Sequence, residues 1–185
     1  MTTSWVWLKK GVAVHADEEF LEGSLREYLD GLASSSSTPG GGSAAALAGA
    51  LGAALVSMVA GLTLSSPRFE DVHPQAKALL ERSEPLRLEL QTLTQTDAQA
   101  YASVSRAMKM AKETEEEKQA RTEQLQKALK WATEVPMQVA RGAEKVAQLA
   151  VEIAETGNVN AISDAGAAAL LAEVAVKAAQ LNVAI

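Results

Sequence analysis

The stretch SSSSTPGGGSAAALAGALGAALVSM, from Ser34 to Met58, decides the fold of this chain. Three consecutive glycines lead directly into a long run of alanine, leucine and glycine, and no charged residue occurs from Gly31 through Pro67. A helix that is apolar on every side is normally buried in a protein core. We therefore predict a buried central helix that begins near Ser43 and ends at about Leu64.

This predicted helix has two different faces. Larger side chains form a ridge on one side and small ones lie opposite: Leu47, Leu51, Leu55, Met58 and Leu62 against Ala46, Gly49, Ala53, Ser57 and Ala60. A run of this length could also cross a bilayer. Its alanine- and glycine-rich composition, without a second similar segment, favours a buried helix and no membrane. The small face would let another helix approach closely, within the chain or across a dimer interface.

Helical periodicity continues beyond residue 20 and strand-like alternation is absent, so we predict an all-α bundle of about five long helices. Ser24–Glu27 and Thr114–Glu117 have the form of capping boxes, which typically begin helices. The other predicted helices run over 75–111, with Pro85 kinking or dividing this one, over 114–156 with a bend at Pro136, and from about Ser163 to Val183. We expect residues 1–20 to be an N-terminal extension and 21–185 to be a single domain.

Composition excludes several classes of function. The 185 residues carry a net charge of −6 without a clustered basic segment, which argues against nucleic-acid binding. The chain has no cysteine, and its two histidines, His15 and His73, lie far apart, so no metal site is predicted. The first twenty residues do not have the pattern of a signal peptide. We expect a cytoplasmic protein.

Asp97 interrupts the apolar face of the third predicted helix. It lies four residues after Leu93 and four before Tyr101, and the same face carries Leu86, Leu90, Val104 and Met108. A carboxylate directed inward tends to hold its proton or to find a donor, because burial disfavours the charged form. Asp97 is therefore a candidate general acid or base. Alternatively, it pairs with a buried arginine or caps another helix.

The second candidate feature is the segment Pro39-Gly40-Gly41-Gly42-Ser43. Glycines cost conformational entropy on ordering, so three in a row indicate unusual backbone angles or close approach of a ligand. Before a helix they would direct free N–H groups at an anionic or carbonyl-bearing ligand. The dinucleotide and P-loop patterns are absent. The alternative is a flexible linker between the first two helices.

A third polar cluster, NVNAISD, occupies residues 158–164. Ser163 or Asp164 could simply cap the last helix. Asn182 lies near the other end of that helix, about 27 Å from Asp164, so the two cannot share one site within one chain. Cations that could meet a ligand carboxylate, unless they are ordinary surface charges, are Arg68, Lys109, Lys112 and Arg141.

Five separate stretches, taken together, resemble the formiminotetrahydrofolate cyclodeaminase family from about residue 25 onward. They are LDGLASSSSTPGGGSAAALAGALGAALVSMVAGLT, TDAQAY around Asp97, ETEEEKQAR, ATEVP, and GNVNAISDAGAAALLAE followed by AAQLNVAI. The family includes free-standing methenyltetrahydrofolate cyclohydrolases. The resemblance implies an all-helical homodimer, a one-carbon tetrahydrofolate as substrate, and no metal or other cofactor.

The resemblance also implies a reaction, conversion of 5-formiminotetrahydrofolate to 5,10-methenyltetrahydrofolate with loss of ammonia. Cyclohydrolysis of the methenyl ring on the same scaffold is the alternative, and a non-catalytic helical binding or assembly protein is the alternative of another class. Both reactions need a proton shuttle, for which Asp97 is the first choice and Asp164 the second. The remaining residues expected to bind substrate are Pro39, Gly40, Gly41, Gly42 and Ser43 for the pterin or tail, Arg68 and Lys112 for the tail glutamate, and Asn160 and Ser163.

Overall fold

The computed structural model describes residues 21–184, and over this range the chain is helical without any strand. The five α-helices are α1 (Leu25–Leu32), α2 (Gly41–Leu64), α3 (His73–Met108), α4 (Glu115–Thr156) and α5 (Ile162–Val183). Short 3₁₀ turns at Pro67–Val72 and Val159–Ala161 lead into α3 and α5. The predicted all-α class is confirmed. The predicted extension at residues 1–20 lies outside the described residues.

Local capping sets several helix ends where the sequence predicted them. The Ser24 hydroxyl accepts the N–H of Glu27 at 3.2 Å, and the Glu27 carboxylate accepts the N–H of Ser24 at 2.7 Å. Thr114 and Glu117 form the same reciprocal pair at the start of α4. α3 continues through Pro85 and α4 through Pro136, so Pro85 does not divide its helix.

The small-residue face of α2 packs against α3, α4 and α5. Gly52 allows the α5 backbone to approach closely, because a Cβ on it would lie 3.0 Å from the carbonyl oxygen of Ala168. Leu90 of α3 is fully buried between two further glycines, and a Cβ on either Gly49 or Gly142 would lie 3.2 Å from one of its methyl groups. Alanine and glycine thus let four helices share one tightly packed core.

The opposite ridge of α2 is not covered by the rest of the described chain. Leu51 is 49% exposed, Met58 41% and Leu62 45%, so the prediction of a helix buried on every side is wrong for this face. α5 is similar, with Leu170 and Leu181 exposed. By length and composition both α2 and the region from the second 3₁₀ turn through α5 could span a membrane, so the expected lack of a second such segment is also wrong. Half of the α2 window is nevertheless buried within the protein, as in a core helix.

The two ends of α2 define two separate regions of the molecule. At its N-terminal end, the Ser43 hydroxyl donates to the carbonyl oxygen of Thr94 in α3 at 2.8 Å. At its C-terminal end, the N–H of Asn158 donates to the Thr63 hydroxyl at 2.9 Å. A helix of 24 residues is about 36 Å long. Residues held at one end therefore cannot share a site with residues at the other end of the same chain.

Candidate active site

α2 begins at Gly41, two residues before the predicted start. Gly40 is the N-cap in an extended conformation, and no glycine within residues 21–184 has a positive φ. The triglycine is therefore neither a flexible linker nor a turn with unusual backbone angles. Close approach does occur, but of a side chain of this protein and not of a ligand, because a Cβ on Gly42 would overlap the carboxylate of Asp97. Glycine is needed here so that a carboxylate can lie directly against the helix backbone.

The Asp97 side chain projects from α3 towards the first turn of α2. The backbone N–H of Ser43 donates to its carboxylate, so Asp97 supplies the side-chain cap that Gly40 lacks. Burial raises the pKa of Asp97, and the Ser43 hydrogen bond opposes this shift. The inward acid and the helix cap, which we treated as alternatives, are thus realised in one contact.

Tyr28 of α1 completes a hydrogen-bond network around Ser43. The Ser43 hydroxyl gives its only proton to Thr94, so it accepts the hydrogen bond from the Tyr28 hydroxyl at 3.1 Å. Burial raises the pKa of Tyr28, the hydrogen bond with Ser43 opposes the shift, and the charge of Asp97 adds to it. Tyr28 and Asp97 therefore both hydrogen-bond to Ser43, Tyr28 to its hydroxyl group and Asp97 to its backbone N–H.

The end of α5 brings a side-chain amide to this region. A Cβ on Gly41 would lie 3.8 Å from Asn182 Nδ2, which donates to the carbonyl oxygen of Ala178. Sequence reasoning noted Asn182 without placing it in the site, and it did not identify Tyr28 or Thr94 as site residues. A side-chain amide near the end of an alanine-rich helix was the available signal for Asn182, whereas nothing local singled out Tyr28 or Thr94.

The other predicted site residues lie elsewhere in the chain. Ser163 and Asp164 lie in the first turn of α5, and Asn160 lies in the 3₁₀ turn before it, beside the C-terminal end of α2. Arg68 follows that end of α2 in the first 3₁₀ turn. Lys112 lies in the connection between α3 and α4, beyond the end of α3. Of the substrate-binding and catalytic predictions, only the segment Pro39–Ser43 and Asp97 are assembled in one region.

Two sequence-based expectations are wrong, one about the residue that caps α5 and one about the buried face of α3. The N-cap of α5 is Ala161, so neither Ser163 nor Asp164 caps that helix, although Asp164 lies in its first turn. Tyr101 and Met108 are 51% and 56% exposed instead of continuing the buried face of α3. The reason is that α2 begins opposite Asp97, so this part of α3 extends past it. The exposed ring of Tyr101 thus lies about one helical turn beyond Asp97 on α3.

The described site offers hydrogen-bond donors and an acid–base group, and no cluster of metal ligands. Within residues 21–184, no three His, Asp or Glu side chains are placed to hold a metal ion. Helix geometry leaves the N–H groups of Gly41 and Gly42 without intrahelical acceptors. The site thus combines backbone donors with one carboxyl group of raised pKa.

Comparison with known proteins gives consistent matches over this region. The model of the family described as Formiminotransferase-cyclodeaminase matches residues 24–185. A methenyltetrahydrofolate cyclohydrolase from Methylorubrum extorquens is 48% identical over 86% of this chain and 77% of its own length. A formimidoyltransferase-cyclodeaminase from Rattus norvegicus is 35% identical over 90% of this chain, which spans 31% of that longer protein. The crystal structure of formiminotetrahydrofolate cyclodeaminase from Thermotoga maritima has a TM-score of 0.78 and 36% identity, covering 90% of this chain and 79% of that one.

Gly42→Ala tests the contact between α2 and Asp97. The added methyl group must displace the short Asp97 side chain, and such overpacking costs about 1–3 kcal/mol in the free energy of unfolding. Gly61→Ala is the matched control in the same helix, where a Cβ meets nothing within 4 Å. The control should gain about 0.5–1 kcal/mol. Urea unfolding that leaves both variants equally stable would contradict the close contact.

Asp97→Asn tests whether burial or helix capping dominates the energetics of this carboxyl group. Because the folded-state pKa is raised, the contribution of Asp97 to stability is complete below its ordinary value and is lost as pH rises through the folded-state value. Asparagine keeps an oxygen for the Ser43 N–H but carries no charge. The stability of the variant relative to the native chain should therefore increase with pH and then level off. Urea titrations across this pH range would refute the assignment if the relative stability fell instead.

Proposed function

The chain belongs to the formiminotransferase-cyclodeaminase family, and from this premise we propose that it is a folate one-carbon enzyme acting as a methenyltetrahydrofolate cyclohydrolase. One structural observation carries the proposal, namely the half-buried carboxyl group of Asp97 against the backbone of Gly42. The 48% identity to a methenyltetrahydrofolate cyclohydrolase supports this activity ahead of the cyclodeaminase reaction, which the sequence analysis placed first.

Asp97 would transfer protons during opening of the methenyl ring. Water adds to the carbon bridging the two nitrogens of the substrate, and the ionised carboxylate accepts a proton from that water. In the resulting tetrahedral intermediate the added hydroxyl group loses its proton to solvent and becomes the formyl carbonyl, one carbon–nitrogen bond breaks, and Asp97 returns the first proton to the departing nitrogen. A carboxyl group with a raised pKa suits both steps, since it must take up and release a proton near neutral pH.

Ionised Asp97 would also favour the substrate electrostatically. The methenyl bridge is an amidinium cation, and a partly buried carboxylate attracts a neighbouring positive charge more strongly than one in water does. The free N–H groups at the start of α2 would contact carbonyl or ring acceptors of the pterin, as proposed for Pro39–Ser43. Asn182 lies beside Gly41 and would add a side-chain amide there.

Cyclodeaminase activity is the second candidate, supported by the Thermotoga maritima structure at 36% identity. In that reaction one nitrogen of the folate attacks the formimino carbon and ammonia leaves. The attacking nitrogen loses a proton and the leaving ammonia gains one, so the same carboxyl group would serve. A non-catalytic assembly protein, the remaining alternative, has no need of an inward carboxyl group with a raised pKa.

Turnover with two substrates distinguishes these candidates. We expect the protein to consume 5,10-methenyltetrahydrofolate, followed as loss of methenyl absorbance, faster than it forms that compound from 5-formiminotetrahydrofolate. Asp97→Asn should lower turnover by about 10²–10⁴-fold, the usual contribution of a general acid or base. Asp71→Asn, at an exposed carboxylate beyond the other end of α2, is the control and should keep full activity. A folded protein inactive on both substrates would favour the non-catalytic alternative.

We also propose that the chain forms a homodimer in the cytoplasm. The exposed ridges of α2 and α5 provide apolar area that a second copy would cover. A second copy could also bring its own Asp164 end to the Asp97 region, which the length of α2 prevents within one chain.

Light scattering tests the dimer directly. The mass should be about twice the 19.4 kDa of one chain. Leu51→Glu should shift the protein towards monomer, because it places a charge in the covered ridge. Leu88→Glu, an equally exposed position on α3, is the control. A native chain that stays monomeric at micromolar concentration would contradict this assembly.

A further inference from the structure

The short helix α1 is attached to the rest of the molecule mainly through one side chain. Of the side chains in α1, all of which the structure describes, only that of Tyr28 is buried. Tyr28 is 7% exposed, whereas Leu25 and Leu29 of the same helix are 67% and 50% exposed. The helix therefore places a tyrosine beside the candidate active site while its leucines remain in solvent.

The serine run between α1 and α2 forms an ordered connection. Ser34 Oγ donates to the carbonyl oxygen of Gly31 at 2.7 Å and accepts the N–H of Ser36 at 3.1 Å. Ser36 Oγ in turn accepts the N–H of Thr38 at 3.4 Å. Serine hydroxyl groups commonly satisfy nearby backbone groups in this way within turns. These bonds limit how far α1 can move from the triglycine that follows.

Tyr28 is the bulky side chain that α1 brings next to Asp97. Both residues hydrogen-bond to Ser43, so the tyrosine hydroxyl lies close enough for the carboxylate charge to raise the pKa of Tyr28. The start of α2 contributes no bulky side chain, since Gly41 and Gly42 come directly before Ser43. Because the Tyr28 hydroxyl group has a partner in Ser43, the aromatic ring can be buried there.

The environment of Asp97 contains few groups that titrate. From α1 the titratable neighbour is Tyr28, whose raised pKa keeps it neutral around pH 7. The first turn of α2 carries no titratable side chain, and Asn182 of α5 is uncharged. No charged side chain in the described part of the chain contributes to the raised pKa of Asp97, which comes from burial. The groups that exclude water from the carboxylate therefore determine its proton affinity.

We propose that Tyr28 is a positioning residue for proton transfer, because its ring covers Asp97 and keeps water away from the carboxylate. The inference rests on the proposed function for the role of Asp97 as a general acid or base. Removing the ring would admit water, favour the ionised form and lower the pKa of Asp97 towards its ordinary value. A carboxylate of lower pKa is a weaker base, so turnover would fall although Asp97 is still present.

Carboxyl ¹³C titration by NMR tests the cover without turnover. The Asp97 signal is the one that disappears in Asp97→Asn. Tyr28→Ala should titrate at lower pH than the native chain, and Tyr28→Leu should shift in the same direction by less. Tyr28→Phe keeps the ring and should titrate with the native chain. Leu29→Ala is the matched control, since it removes an exposed side chain from the next position of α1.

Turnover of 5,10-methenyltetrahydrofolate, corrected for uncatalysed hydrolysis, gives the functional measurement. For the native chain, kcat/KM should rise with pH as Asp97 ionises. In Tyr28→Ala this rise should move to lower pH, and the plateau should be about three- to tenfold lower because the base is weaker. Tyr28→Phe should restore the position of the rise. A variant that was only partly folded would lose rate at every pH without moving the rise.

Three results would overturn the inference. They are an unchanged Asp97 titration in both Tyr28→Ala and Tyr28→Leu, an equal shift in Leu29→Ala, and a shift in Tyr28→Phe as large as that in Tyr28→Ala. If the native chain turned over no folate while the carboxyl titration moved as expected, the proposed function would fail. The covering of Asp97 by Tyr28 would then still stand.

Discussion

The contact between the Asp97 carboxylate and the backbone of Gly42 is the constraint on which the candidate site depends. It joins the start of α2 to the middle of α3 and takes the place of the side-chain cap that Gly40 lacks. Because the carboxylate replaces water with one backbone donor and no cation, burial outweighs the hydrogen bond and the pKa rises. A single contact therefore provides both the hydrogen bond that caps α2 and the burial that raises the pKa.

Features governed by local rules could be predicted from the sequence. Both capping boxes mark the true helix starts, since each depends on side chains only three residues apart. Asp97 was identifiable because a carboxylate on an apolar face stands out at a spacing of four residues. The triglycine was singled out for unusual backbone angles or close approach of a ligand, whereas in the structure its backbone angles are ordinary and the group that approaches Gly42 is Asp97.

Features that depend on how whole helices are arranged could not be predicted in the same way. Periodicity showed that the ridge containing Leu51 is apolar, but it does not specify whether the chain itself covers that ridge. Asp164 is separated from Asp97 because α2 spans the molecule between them, a consequence of helix length and packing.

Leu90 shows how such packing restricts change over evolutionary time. Its methyl groups occupy the space left by two glycines, Gly49 on α2 and Gly142 on α4, so one side chain fixes the separation of three helices. Substitutions at residues in direct contact do not have additive effects on the free energy of unfolding. A lineage that enlarges either glycine must first acquire a smaller residue at position 90, whereas a lineage that keeps leucine there has little freedom at the other two. Among relatives, these three positions should drift as a linked set and not one at a time.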